Sequence, residues 1–97
     1  MRVYNMLSPK TGREICNQFV IENGAVTTFQ SYASTIAEID RHNRTITIHP
    51  DWNYSRTTGK YRNEFFNDEG FGGLATTEGL RKAMKNGEYN DFKIVTC

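Results

Sequence analysis

Through the first half of the chain apolar and polar residues alternate, the period of strands that bury one face. Val3, Asn5 and Leu7 alternate with Tyr4 and Met6, and the turn-forming run Ser8-Pro9-Lys10-Thr11-Gly12 closes this first strand. Ile15, Asn17, Phe19 and Ile21 then share a face before Asn23-Gly24, a dipeptide that tolerates positive φ and so favours a two-residue hairpin loop. That loop pairs Ile21 with Val26 and Phe19 with Thr28, with the apolar groups together. After a polar break over Ser31 to Ser34, a second hairpin runs from Thr35 to His49 with His42-Asn43 at its tip. It sets Ile39 opposite Ile46 and Ala37 opposite Ile48, and turns Glu38 and Thr47 the other way. Pro50 removes a ladder donor and ends the strand, and Trp52 and Tyr54 anchor the link that follows.

From Ser55 the period changes to that of a helix. The Ser55 hydroxyl suits an N-cap for the backbone N–H of Thr57 or Thr58; Tyr61 and Phe65 lie four apart on a core face, and Lys60 and Glu64 pair on the exposed side. Asn67 to Gly73, with three glycines in four positions, reads as a flexible turn. Thr76 or Thr77 caps a second helix with Leu80, Ala83 and Met84 on its buried face and Gly87 as its stop. Phe92, Ile94 and Thr96 form a last strand. The order predicts one α+β domain over residues 1–97, an antiparallel sheet of about five or six strands with two short helices packed on one face.

With 37% hydrophobic and 24% charged residues and a mean hydropathy of −0.65, the composition is that of a soluble domain. A formal charge of +1 leaves no overall field to draw in nucleic acid or membrane. No apolar run reaches the roughly 18 residues of a membrane span, and the start MRVYNMLSPKTG lacks a signal peptide's apolar core, so a cytoplasmic protein is expected. Cys16 and Cys97 stand far apart without a CxxC and read as reduced thiols.

Enzymatic signatures are not found. His49, Asp51 and Ser55 are near in sequence only, the two histidines lack the spacing of metal ligands on one helix, and GFGG has neither the spacing nor the preceding strand of a phosphate loop. The expectation is a non-enzymatic protein without cofactor or metal. The departure from local rules is electrostatic: Arg56, Lys60 and Arg62 crowd the first turns of a helix, where the dipole favours anions. With Ser55, Thr57 and Thr58 they describe an anion-binding pocket; the alternative is that they solvate the helix by reaching Asp51, Glu64 or Asp68.

Two segments, SYASTIA over residues 31–37 and YSRTTGKY over 54–61, resemble a pattern in small proteins of bacteriophages and other mobile elements. It runs S-Y-x-[ST]-x-I-A, then Y-S-x-T-T-x-K-[HY], and Ser31, Tyr32, Ser34, Ile36, Ala37, Tyr54, Ser55, Thr57, Thr58, Lys60 and Tyr61 carry it. Tyr61 stands where many relatives have His, so a role needing an imidazole does not carry over. The resemblance implies a setting, that of accessory phage or mobile-element products, some of which inhibit host defence systems. The expected role is a small binding protein that blocks a host macromolecule, for example an anti-CRISPR-like inhibitor of a host defence nuclease.

Candidate partner- or anion-binding residues are Trp52, Tyr54, Ser55, Arg56, Thr57, Lys60 and Arg62, with Arg41 and Arg44 added from the hairpin tip. The partner expected is a host protein such as a nuclease complex. Nucleic acid, stacked on the sheet's aromatics, is the alternative, and an edge strand leaves a homodimer open.

Overall fold

The computed structural model describes Met1–Cys97. Seven strands, β1 (Arg2–Leu7), β2 (Glu14–Asn23), β3 (Val26–Ser31), β4 (Ser34–Asp40), β5 (Thr45–Ile48), β6 (Glu88–Tyr89) and β7 (Phe92–Thr96), form one sheet. Its order is β1-β2-β3-β4-β5-β7-β6. All neighbours are antiparallel except β5 and β7, which run parallel because the helical segment carries the chain back across the sheet. Helices α1 (Arg56–Asp68) and α2 (Thr77–Asn86), joined through a 3-10 turn over Gly72–Leu74, lie on one face and close a single apolar core. The α+β class and its one-sided helical layer match the expectation; the sheet is wider by the seventh strand.

The second hairpin has the expected register, with Ile39 opposite Ile46 and Ala37 opposite Ile48, all buried. The first hairpin does not. Asn23 pairs with Val26 and Ile21 with Thr28, so the loop is Gly24-Ala25 with only Gly24 at positive φ, the signs of a type II′ turn. The buried face is that of Gln18, Val20, Thr27 and Phe29, while Phe19, Ile21 and Val26 stay half-buried on the uncovered face. Both faces of this ribbon carry apolar side chains, so alternation alone could not tell the helix-covered one.

Two short elements have turn signals that alternation does not register. Ser31 pairs with Ser34 around a two-residue turn in which Tyr32 takes φ 56°. Asn90 and Asp91, both at positive φ, fold β6 onto β7. The glycine run is ordered, since Phe71 is buried and packs edge-on against Phe92.

α1 rests on β3 through Phe29 and Phe65, stacked at 5.5 Å between centroids. Its buried residues are Thr58, Gly59, Arg62, Phe65 and Phe66, and Tyr61 is only half-buried at the edge. The expected Lys60–Glu64 ion pair is not made, and the Lys60 ammonium lies 5.2 Å from the Tyr61 ring centre.

Candidate functional site

The two sequence motifs meet beneath the start of α1. Ser31 Oγ and Thr58 Oγ1 lie 2.9 Å apart, both residues fully buried, and the Ser34 hydroxyl donates to Asp51 Oδ2 at 3.0 Å. Ile36 and Ala37 are both buried at a β-bulge opposite Phe29. Much of the pattern is therefore joinery between sheet and helix. Thr58→Val leaves the buried Ser31 hydroxyl without its partner and should cost about 1–3 kcal/mol. Ser31→Ala/Thr58→Val should be closer to the parent than the sum of the single changes, a coupling that a denaturation double-mutant cycle measures.

Ser55 caps α1 as expected, its Oγ accepting from the Thr58 N–H at 3.1 Å. The first turn has no acidic residue. Beside it an open groove of about 700 Å³ is lined by Tyr54, Ser55, Arg56 and Lys60 with Asn53, Gly59, Asn63 and Glu64, and by Thr77 from α2. Arg56 and Lys60 are exposed and make no ion pair, and Tyr54 is 52% exposed. The predicted Tyr54, Ser55, Arg56 and Lys60 thus share one concave surface. Thr57 is exposed on the same turn but outside the lining.

Arg62 departs from the expectation: it is 0% exposed. Its Nη1 donates to the Trp52 carbonyl at 2.7 Å, and its Nη2 donates to Thr77 Oγ1 at 2.7 Å and Asn63 Oδ1 at 2.9 Å. No carboxylate pairs with it. Burial, and secondarily Arg81, pushes its pKa below the ordinary guanidinium value; it remains a cation, as arginine does in proteins. Its guanidinium lies 5.2 Å from the Trp52 ring centre and that of Arg81 lies 5.6 Å away, so two cations meet the Trp52 ring. Arg62 therefore belongs to the wall behind the groove, tying the 52–53 segment and the start of α2 to α1. The signal for this was in the spacing: Thr58, Arg62 and Phe65 follow the i, i+4, i+7 rule of a buried helix face.

Arg41 and Arg44 lie elsewhere. Arg41 Nη2 meets Glu69 Oε1 at 2.9 Å, at the far end of α1, and the Arg44 guanidinium is 5.7 Å from the Phe92 ring centre. They do not extend the groove. Thr77 was missed because its place depends on how α2 packs, which no local pattern carries, whereas Asn53 adjoins Tyr54 and Asn63 shares the α1 face of Arg56 and Lys60, and both were passed over as uncharged.

His49, Asp51 and Ser55 make no triad: the imidazole meets Glu38 at 3.0 Å, Asp51 accepts from Ser34, and Ser55 serves the helix cap. No group of three or more His, Cys, Asp or Glu is gathered to hold a metal ion. No helix is long and apolar enough to cross a membrane.

Fold and site together define a small α+β domain with a cationic groove at a helix start, walled by a buried arginine. The chain belongs to a family of unknown function (DUF8033), whose model matches residues 1–84 and so spans both motifs and every residue lining the groove. No curated protein and no solved structure matches it.

Proposed function

We propose that the protein is a non-enzymatic binding module that seats acidic groups of a macromolecular partner in the groove at the start of α1. The observation that carries this reading is the unpaired charge. Arg56 and Lys60 line the groove, exposed and without an ion pair, against one lining carboxylate, Glu64, and the Arg62 and Arg81 guanidiniums lie behind it at the Trp52 ring. In a chain of net charge +1 this is a local excess. Arg56 and Lys60 are free to meet a partner's carboxylates or phosphates, and the exposed Tyr54 adds an aromatic anchor of the kind that dominates interface energies.

The motif resemblance supplies the setting: a phage or mobile-element protein acting in a bacterial cytoplasm, its partner a host protein such as a defence nuclease complex. Nucleic acid is the weaker reading. Tyr4, Phe29 and Phe92 face the helical layer, leaving half-buried Phe19 as the aromatic on the open face of the sheet and no stacking platform. The test is affinity capture from a bacterial host lysate, with and without nuclease, comparing the native chain with Arg56→Glu/Lys60→Glu. The expected result is a discrete protein that survives nuclease and is lost with the double variant at unchanged melting temperature. Equal capture by both chains contradicts the groove as the binding surface, and recovery of nucleic acid alone favours the second reading.

A further inference from the structure

The two edges of the sheet are treated differently. β6 is two residues long and so presents little unpaired backbone, whereas β1 runs for six residues with neither Pro nor Lys to deter pairing. Three of the five large apolar residues left exposed are on or beside β1: Met1, Val3 at 55% and Leu7 at 58%. On its other face, Tyr4 and Met6 line a mainly apolar pocket of about 170 Å³ with Val20 and Phe65, rimmed by Asp68 and Glu69. The edge is therefore apolar on both sides and acidic at one end.

We infer that β1 pairs antiparallel with β1 of a second copy of this chain, with Asn5 opposite Asn5, so that two seven-stranded sheets become one across a two-fold axis. The strand's own chemistry selects this occupant. A two-fold axis perpendicular to the sheet keeps the helices of both copies on one side, so paired positions must share parity. The register centred on Asn5 sets Val3 against Leu7 of the second copy on the uncovered face and Tyr4 against Met6 of the second copy on the helix side. Each strand thereby contributes one half of every apolar pair.

Charge agrees with this register. Antiparallel pairing carries Arg2 of the second copy past Met6 to the end where Asp68 lies. Asp68 has no cationic partner, and burial, followed by the charge of Glu64, raises its pKa. Arg2 is held by an exposed contact to Glu22 at 3.4 Å and lies 4.5 Å from the Tyr4 ring centre, exposed contacts that cost little to exchange. The groove is at the opposite end of α1 from Asp68, so the dimer would present two open grooves.

Sedimentation equilibrium from micromolar to millimolar concentration, with a charge exchange across the strand, tests this. The native chain is expected to move from 11.2 kDa towards twice that mass. Val3→Lys/Leu7→Lys and Val3→Glu/Leu7→Glu, at exposed positions, should each stay monomeric at unchanged melting temperature because like charges then face each other. An equimolar mixture of the two should regain the dimer, because each introduced ammonium then faces an introduced carboxylate of the other variant. A native chain that stays monomeric at millimolar concentration overturns the inference, as does a dimer that persists in both variants or a mixture that does not associate.

Discussion

Replacing Arg62 with alanine should cost about 3–5 kcal/mol, because two buried acceptors lose their donor at about 1–3 kcal/mol each and a cavity opens. The guanidinium bonds the Trp52 carbonyl and the Thr77 and Asn63 side chains, and it underlies the Trp52 ring. Without it the Trp52 and Thr77 groups lose a strong donor and a cavity opens between α1, α2 and the 52–53 segment. For a domain of about this size each kcal/mol corresponds to roughly 4–8 °C, so the melting temperature should fall by more than about 10 °C. Arg62→Lys should recover only part of the loss, since an ammonium lacks the planar fork that reaches these acceptors from one position. Thermal unfolding followed by circular dichroism reads both. A melting temperature within about 2 °C of the parent for Arg62→Ala would contradict the assignment of this residue to the scaffold. The effect is the opposite of that expected at Arg56 and Lys60, where binding should be lost and stability kept.

Gly79→Ala should destabilise and Gly59→Ala should stabilise, although both glycines are in helices. A Cβ on Gly79 would overlap the backbone carbonyl oxygen of Gly73 and approach Thr76 Oγ1, the capping atom of α2, to 2.8 Å. Neither neighbour can give way without moving the 3-10 turn or the cap, a strain of about 1–3 kcal/mol. A Cβ on Gly59 would lie 3.7 Å from Asn53 Oδ1 and 3.8 Å from the Arg62 guanidinium, ordinary contact distances. There the alanine gains its helix propensity of roughly 1 kcal/mol. Chemical denaturation of the two variants should show midpoints shifted in opposite directions. A shared direction would mean that propensity alone, or packing alone, governs both sites.

The contrast between these glycines shows which part of the molecule could be read from residues in order. Local periodicity and capping chemistry located α2 and its Gly87 stop, the Ser55 cap and the second hairpin with its register, because each depends on neighbours a few positions away. The burial of one face of β2 rather than the other depends on where α1 lands, as does the seat of Arg62, and these follow from contacts across the chain. The groove was half legible on the same ground. Tyr54, Ser55, Arg56 and Lys60 sit on consecutive turns, whereas Thr77 reaches the groove only through the packing of α2. Charge alone makes Arg62 a surface cation; its four-residue spacing from Thr58 carried the better information.

Amide chemical-shift mapping of the native chain with an oligoglutamate peptide or inorganic phosphate tests the groove most directly. The expected result is saturable shifts at Ser55, Arg56, Gly59, Lys60, Asn63 and Thr77 that vanish in Arg56→Glu/Lys60→Glu. Shifts confined to the Arg41–Arg44 hairpin or the Arg81–Lys85 face, or no saturable shifts with either probe, would contradict a binding surface at the start of α1.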